Sequence, residues 1–297
     1  MTLLDEPAIL STTTPAAPTV APALPQQRRR RKWPLGLVVG VGIIIAWALI
    51  TLLVPPILGR SATDVVYGAK LLPPSLQYPF GTDALGRDIL VRVAVGFRYD
   101  IMVAMSSVLL ATVMGLLLGA IAGTTHEWLD NLIMGMTDVI SAFPSFVLAL
   151  AMAAAFSPSP TVLILSIAIV FMPYYARTTR AVIMTEKGKP YADAARAMGF
   201  SSPRIVFLHL LPNSVPYIMT LIATDVSGAI MVTAGLSFLG FGVQPPDAEW
   251  GLMISEGNSF IISGEWWVSF FPGLAVMSLI SAFLLIDLGI RRIQQKL

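Results

Sequence analysis

The chain has 297 residues, of which 56% are hydrophobic and 12% are charged, and its mean hydropathy is +0.77. Soluble domains average about 25% charged residues, so this composition excludes an ordinary soluble protein and indicates an integral membrane protein. The net charge of +2 is too small to indicate nucleic-acid binding, and the absence of cysteine excludes disulfides, thiolate metal sites and cysteine nucleophiles.

The N-terminal segment, residues 1–32, is rich in Ala, Pro and Thr and ends in the basic run Arg28–Lys32. Such a segment cannot bury enough apolar surface to offset the entropy of ordering, so we expect a disordered basic cytoplasmic tail. The apolar run Leu35–Val54 follows, and its 20 residues can span a hydrocarbon core of about 30 Å. A cleaved signal peptide is the alternative, but the run is longer than the usual ~7–15 residues and lacks a small-residue cleavage site.

Five further apolar segments predict an all-α membrane protein with six transmembrane helices. They are Ile101–Gly123, Leu132–Phe156, Val162–Tyr175, Val215–Gly242 and Val268–Ile290. The segment from Val162 is short, and we expect its helix to continue past Arg177 toward the cytoplasm. Residues 33–100 then form the first helix with a periplasmic segment, and residues 101–297 form a five-helix core with a cytoplasmic loop at 176–213. The tail, this loop and the C-terminus hold 14 of the 19 Lys and Arg residues, which favours cytoplasmic termini.

Three carboxylates fall within or at the edge of these segments, where an unpaired charge is costly. Asp138 and Asp287 lie near the expected cytoplasmic surface, and we expect basic side chains to satisfy them. Asp225 lies roughly mid-helix, where it either lines a wet pathway or makes a polar contact with a neighbouring helix. It is the one candidate pathway residue.

Other features of the apolar segments predict packing and bending. Glycines 115, 119 and 123 share one helix face, which indicates close approach of another helix. Pro144 and Pro173 predict kinks, because each removes a backbone donor.

A polar stretch from Tyr191 to Asn213 interrupts the apolar pattern. Pro190 suits a first helical turn, and Gly199 suits the left-handed conformation that ends a helix. Ser202 then serves as an N-cap before Pro203, and Pro212–Asn213 ends the second helix. The pattern predicts two short helices joined at a glycine, either as a docking device for a cytoplasmic partner or as a capped turn without one.

Signals of catalysis are missing from the sequence. There is no GxxxxGK[ST] phosphate loop, so we expect the chain not to hydrolyse ATP. The two histidines, His126 and His209, lie far apart and without metal-ligand spacing, so we interpret both as structural and expect no metal site. We therefore expect a non-catalytic protein.

Two charged segments outside the apolar runs have alternative interpretations. Thr82, Asp83, Arg87 and Asp88 form either a local ion-paired cap or a surface for a docked protein. The loop after Val243 holds Asp247, Glu249 and Trp250 as further candidates for contact with such a protein. Trp266 and Trp267 directly precede the last helix, which favours an interfacial aromatic belt.

The chain resembles a known family in several motifs. The loop motif at Asp193–Gly199, D-A-A followed by Gly, resembles the EAA loop of ABC-importer permeases, with Asp193 where Glu is usual. FGTDALGRDIL at Phe80–Leu90, followed by Arg92 and Gly96, is similar to a signature of the second permease subunit in dipeptide, oligopeptide and nickel importers. GLSFLGFGVQPPDAEWG at Gly235–Gly251 and WWVSFFPGLAV at Trp266–Val276 are similar to the end of the same subunit. Thr233 departs from the family, where an acid is common.

The resemblance implies a type I importer permease in the bacterial inner membrane, forming half of a pathway for peptides, nickel or a related solute. It implies a homologous second permease, two ATPase subunits that hold ATP and Mg, a periplasmic or lipid-anchored binding protein, and no cofactor in this chain. It assigns ATPase coupling to the following residues: Tyr191, Asp193, Ala194, Ala195, Arg196 and Gly199. An ion-coupled secondary transporter and a non-transporting scaffold are the alternatives.

Overall fold

A computed structural model describes residues 34–294 as a helical bundle. The helices are, in chain order, α1 (Leu35–Leu58), α2 (Ile89–Thr124), α3 (Glu127–Ser141), α4 (Ser145–Ala154), α5 (Pro160–Lys187), α6 (Pro190–Ala197), α7 (Ser202–Ile205), α8 (Leu211–Phe238), α9 (Trp250–Asn258) and α10 (Trp267–Gln294), with a π-helical turn at Val206–Leu210 between α7 and α8. The expected tail at 1–32 lies outside the described residues. The division at residue 100 stays a prediction.

Five helical runs within residues 34–294 are long and apolar enough to span a membrane. They are Leu35–Leu58, Ile89–Thr124, Pro160–Lys187, Ser202–Phe238 and Trp267–Gln294. The pair α3 and α4 makes a sixth if it counts as one span, but it is bent by 88°. The predicted single helix at Leu132–Phe156 is therefore wrong: Pro144, where a kink was expected, has φ −54° and ψ 125° and separates two helices, so that α4 starts afresh behind it.

Two other boundaries differ from the predicted apolar segments. Helix α2 begins at Ile89, well before the predicted Ile101, because the Asp88 side chain accepts hydrogen bonds from the backbone N–H groups of Leu90 and Val91. Helix α5 runs on to Lys187, which confirms that this helix continues past Arg177. Hydropathy alone misses both extensions, since a capped or amphipathic helix end is not apolar.

The tightest helix packing joins α2 to α5 along the predicted glycine face. A Cβ on Gly115 would lie 2.2 Å from the Tyr175 Cβ, and one on Gly119 would lie 2.4 Å from the Ala176 carbonyl oxygen. The packing role predicted for these glycines is confirmed.

Helix α1 packs with one side against the antiparallel α10 and against α2, where the Thr51 hydroxyl donates to the Ala94 carbonyl oxygen at 2.6 Å. A Cβ on Gly40 would lie 2.4 Å from the Ala282 carbonyl oxygen, so the backbones of α1 and α10 touch. The opposite face of α1 is open, with Leu52 69% and Ile57 74% exposed, as suits a helix that faces lipid.

Basic partners satisfy two of the three carboxylates in the apolar segments. Arg177 lies 3.2 Å from Asp138, and Arg291 lies 2.8 Å from Asp287. The predicted pairing of both acids is confirmed.

Candidate functional site

Helix α6 is a short amphipathic helix that starts and ends as the sequence predicts. Pro190 occupies its first turn and Asp193 lies near its N-terminus, where negative charge is favourable. Gly199 follows the helix with φ +79°, the left-handed conformation expected of it. A Cβ on Gly199 would meet nothing within 4 Å, so the position requires glycine for its backbone angle and not for space.

One face of α6 is anchored to the bundle and the other is open. Ala192 is 0% and Ala195 2% exposed, and both belong to a small apolar cluster beneath the helix. The cluster also contains Ala120, Ile183, Ile205, Val206 and Leu210. Alanine is small enough to let the α6 backbone lie close to these side chains.

The open face of α6 carries most of the residues assigned to coupling. Asp193, Ala194, Arg196 and Gly199 are exposed, Tyr191 is half-buried, and only Ala195 is buried. Arg196 pairs with Asp193 and donates to the Lys187 carbonyl oxygen at 2.9 Å. Met198, 66% exposed, adds an apolar side chain at the end of the helix.

Glu186 holds the start of α6 against the end of α5. Its carboxylate accepts hydrogen bonds from the Tyr191 hydroxyl and the Lys189 ammonium group, each at 2.7 Å. The Glu186 hydrogen bond raises the pKa of Lys189, and burial followed by the same carboxylate raises the pKa of Tyr191. Sequence analysis missed Glu186; its only signal was an acid within five residues of Lys189 and Tyr191.

The chain beyond Gly199 differs from the prediction of a second short helix. Ser201, and not Ser202, is the N-cap, and the helical run continues through the π-helical turn to Phe238. Pro212 therefore does not end the helix. It lies in the first turn of α8, directly after the π-helical turn at Val206–Leu210, where a helix tolerates proline. Asn213 donates from its side chain to the His209 carbonyl oxygen at 2.7 Å. The loop is thus joined directly to a membrane-spanning helix.

His209 contributes packing at this junction. Its ring stacks on Phe200 with centroids 5.9 Å apart, and the Arg204 guanidinium lies 4.6 Å from the Phe200 ring centre. The structural role predicted for His209 is consistent with this contact. Across residues 34–294, no cluster of three or more His, Cys, Asp or Glu side chains could hold a metal ion.

At the other end of the bundle lies a group of charged side chains that we call the charged cap: Asp83, Arg87, Asp88, Arg92 and Glu256. Arg87 lies 2.6 Å from Asp83 and 3.0 Å from Glu256, and Arg92 lies 3.2 Å from the same Glu256 oxygen. Asp88 pairs with Arg60 at 2.6 Å while capping α2. The four residues of the cap other than Glu256 are at most 4% exposed. The arrangement matches the local ion-paired cap, and sequence analysis missed Glu256.

Trp250 lies inside the fold and not on a docking surface. It is 0% exposed, and its indole N–H donates to the Val93 carbonyl oxygen at 2.9 Å. A Cβ on Gly96 would lie 2.7 Å from the Trp250 ring, so glycine makes room for it. The expectation that a docked protein contacts Trp250 is wrong for this conformation, because no part of the ring reaches the surface.

Glu249 is also removed from the surface. Its carboxylate accepts hydrogen bonds from the backbone N–H groups of Gly251 at 2.9 Å and Leu252 at 2.8 Å, so it caps α9. Burial raises the pKa of Glu249, and Asp100 of α2 lies beside it. Of the seven residues considered for contact with a docked protein, Asp247 alone is exposed, and the other six are buried: Thr82, Asp83, Arg87, Asp88, Glu249 and Trp250.

The two tryptophans before α10 have different environments. Trp266 is 49% exposed, as an interfacial belt requires. Trp267 is 8% exposed and donates to the Thr82 carbonyl oxygen at 3.3 Å, beneath the loop that carries the cap. The belt prediction is therefore wrong for Trp267.

Asp225 faces the Tyr175 hydroxyl where α8 meets α5. The Asp225 Oδ2 and the Tyr175 Oη are both shielded from solvent and have no hydrogen-bond partner within residues 34–294. The two groups are complementary, because the hydroxyl can donate a hydrogen bond and the carboxylate can accept one, so a small relative shift of α5 and α8 would join them.

Comparisons with known proteins agree with this architecture. The family described as binding-protein-dependent transport system inner membrane component matches residues 115–296. Among solved structures, the chain is similar to a chain of the MetNI methionine ABC transporter in an inward-facing conformation, with a TM-score of 0.55 and 17% identity over 69% of this chain and 95% of that one. At this identity the likeness shows the fold alone.

Several curated relatives are similar over most of their length. The dipeptide transport system permease protein DppC of Alkalihalophilus pseudofirmus is 37% identical over 86% of this chain and 83% of its own. The probable D,D-dipeptide transport system permease protein DdpC of Escherichia coli is 36% identical over 86% of each chain. The glutathione transport system permease protein GsiD of Pectobacterium atrosepticum is 37% identical over 73% of this chain and 72% of its own.

Proposed function

Since this chain belongs to the family of binding-protein-dependent transport system inner membrane components, we propose that it forms half of the pathway by which an ABC importer takes up short peptides. It is a multi-pass permease subunit with the type I importer fold. Membership of this family supports assignment as an ABC importer subunit and argues against an ion-coupled secondary transporter. The names of the relatives, which describe dipeptide, D,D-dipeptide and glutathione transport, support peptides as the cargo over nickel.

The proposal includes partners that follow from this role. A homologous permease completes the pathway, two cytoplasmic ATPase subunits hold ATP and Mg, and an extracytoplasmic binding protein delivers the peptide. The chain lies in the bacterial cytoplasmic membrane with both termini in the cytoplasm, as the distribution of Lys and Arg favours. It supplies no catalytic group of its own.

The observation that carries the coupling assignment is the two-faced anchoring of α6. Its exposed face offers Asp193, Ala194 and Arg196, while its buried alanines rest on the bundle. Beyond Gly199 the chain enters a helical run that ends at Phe238. ATP closes the two ATPase subunits, and their movement displaces α6. The displacement passes to α8 through the helical run that begins at Ser202, and to α5 through the hydrogen bonds of Glu186. The pathway then closes on one side of the membrane and opens on the other.

Uptake by the assembled transporter tests this function. In proteoliposomes that contain the complete complex, ATP is supplied on the side of the ATPase subunits, and the binding protein and labelled dipeptide are supplied on the opposite side. The dipeptide should accumulate on the side that holds ATP. Uptake that persists without ATP and stops when ion gradients are dissipated would support a secondary transporter instead. Micromolar ATP binding by the purified chain alone would contradict the assignment of hydrolysis to partner subunits.

We also propose that Asp225 lines the pathway in a state in which α8 moves away from Tyr175. An ionised carboxylate there would favour substrates that carry a net positive charge, and Asp225→Asn would remove that attraction with little change in shape. The variant should lower uptake of cationic substrates more than neutral ones, with Tyr175→Phe as the control for the contact with α5. Equal losses for all substrates in Asp225→Asn would favour a structural role.

A further inference from the structure

The chain crosses the membrane between α2 and α5, and the bent pair α3 and α4 makes that connection. A Cβ on Gly115 of α2 would lie 2.2 Å from the Tyr175 Cβ of α5. One on Gly123, about two turns later in α2, would lie 2.9 Å from a methyl group of Ile183, about two turns later in α5. The two helices therefore run parallel, and the end of α2 and the start of α5 lie on opposite sides of the membrane. The bend between α3 and α4 consequently lies within the membrane.

The bend exposes backbone that lipid does not accommodate. Residues 141–147 are exposed without interruption. The first backbone hydrogen bond of α4 runs from the Leu148 N–H to the Pro144 carbonyl oxygen at 3.0 Å. Pro144 at the N-cap has no side-chain acceptor for the N–H groups before Leu148, so these groups need another partner. Irregular backbone at membrane depth is therefore either covered by protein or lines a water-filled cavity.

An exposed ion pair beside the bend favours water over a protein cover. Arg177 of α5 lies 3.2 Å from Asp138 and donates to the Ser141 hydroxyl at 2.9 Å, so the pair adjoins the first residue of the bend. The side chains of Arg177 and Asp138 are 42% and 68% exposed. Removing such a pair from water is costly, and charged groups within membrane spans face the bundle interior or a wet cavity.

The exposed face of α2 has the opposite character. Its side chains recur every four residues and carry no charge, and they are between 43% and 63% exposed: Met105, Leu109, Val113 and Leu117. A stripe of this kind suits a dry surroundings of lipid or apolar protein. The chain thus separates an uncharged outer face from a charged face at the bend.

We propose that the bend at 141–147, together with Arg177 and Asp138, lines the aqueous pathway, so that the peptide passes over it. The ion pair offers a charge of the right sign to each terminus of a peptide, and Phe143 and Val147, each 54% exposed, offer apolar contact to its side chains. An exposed ion pair is weak, so the termini can replace its partners. The inference rests on the proposed function, in which this chain forms half of the pathway.

The test is the reactivity of single cysteines, since the natural chain has none. The assembled transporter is placed in lipid nanodiscs, which leave both membrane surfaces open, and is treated with a trimethylammonium methanethiosulfonate. A thiol reacts with this cation as the thiolate, and both ions need water. Ser145→Cys and Ser141→Cys change a hydroxyl into a thiol at the exposed bend and should react rapidly.

Val113→Cys is the matched control. Val113 is 45% exposed and lies two residues before Gly115, which packs on Tyr175, so its depth is close to that of Arg177. It should react at least about tenfold more slowly than Ser145→Cys, because hydrocarbon excludes the charged reagent. Labelling of Ser145→Cys should also remove most of the ATP-dependent dipeptide uptake of the complex, because the label occupies the pathway.

Three results would overturn the proposal. Reaction of Ser145→Cys and Ser141→Cys as slow as that of Val113→Cys would show that the second permease covers the bend. Equally rapid reaction of Val113→Cys would show that the charged face is not distinguished by water. Rapid labelling of Ser145→Cys that leaves uptake unchanged would place the bend outside the pathway. Rapid labelling in a complex that takes up no dipeptide even before labelling would contradict the proposed function and would still support a wet bend.

Discussion

The two ends of the bundle each hold a closely spaced Asp–Arg pair, and the pairs have opposite environments. In the charged cap, the side chains of Arg87 and Asp83 are 4% and 6% exposed. In α6, those of Arg196 and Asp193 are 44% and 68% exposed. The Asp–Arg pair at one end is thus buried within the fold, whereas the pair in α6 is exposed and available to a partner protein.

This difference separates motifs that maintain the fold from motifs that offer a surface. The cap residues pair with Glu256 and with helix ends, so they leave little charge for a docked protein. An exposed ion pair such as Asp193–Arg196 contributes little stability, and a partner can replace it at small cost. We therefore expect substitutions at the cap to affect folding and substitutions at α6 to affect coupling.

The largest effect should follow from Trp250→Ala. Removing a fully buried indole and its hydrogen bond to Val93 should destabilise the chain by about 3–5 kcal/mol. Thermal unfolding in detergent measures the loss. Trp266→Ala removes the same side chain from a half-exposed position and should change the melting temperature little. Equal shifts for the two variants would contradict the packing role of Trp250.

A smaller effect on stability and a clear effect on coupling should follow from Gly199→Ala. The left-handed backbone at Gly199 costs a residue with a Cβ roughly 1–2 kcal/mol, so the orientation of α6 should change. Peptide-stimulated ATPase activity of the complex should fall, while membrane insertion remains normal. Gly135→Ala is the control, because its Cβ also meets nothing within 4 Å and its backbone is helical. Normal stimulation in Gly199→Ala would contradict the coupling assignment.

The smallest effect should follow from Glu186→Gln. The loss of charge weakens the hydrogen bonds to Tyr191 and Lys189, which we expect to loosen α6 by about 1 kcal/mol. Limited trypsin cleavage after Arg196 in the isolated chain should then become several-fold faster. Glu127→Gln removes an exposed acid at the start of α3 and should leave the rate unchanged. An unchanged rate in Glu186→Gln would show that Glu186 does not anchor α6.

The sequence predicts local structure better than it predicts long-range contacts. The left-handed Gly199 and the glycine face of α2 follow from local rules, and the structure confirms both. The burial of Trp250 could not be predicted, because it depends on Gly96 and Val93, more than 150 residues earlier in the chain. The segment from Pro246 to Gly251 has a composition typical of a surface loop, so it gives no sign that Trp250 is buried.

The candidate site shows the same limit. The exposed residues of α6 were predicted from the motif, whereas Glu186 required knowledge of where α5 ends. Pro212 ends a helix by local rules, but the π-helical turn before it lets the helix continue. Glu256 joins Arg87 and Arg92 only because α9 folds back onto the start of α2.

The most direct test of the account is thiol labelling of α6, since the natural chain contains no cysteine. Ala194→Cys lies on the open face of the helix and Ala195→Cys on the buried one. In the isolated chain, Ala194→Cys should react rapidly with a maleimide and Ala195→Cys slowly. Assembly with the ATPase subunits should protect Ala194→Cys and leave Ala195→Cys as it was. Equal reactivity of Ala194→Cys with and without the ATPase subunits would contradict the claim that this face of α6 contacts them.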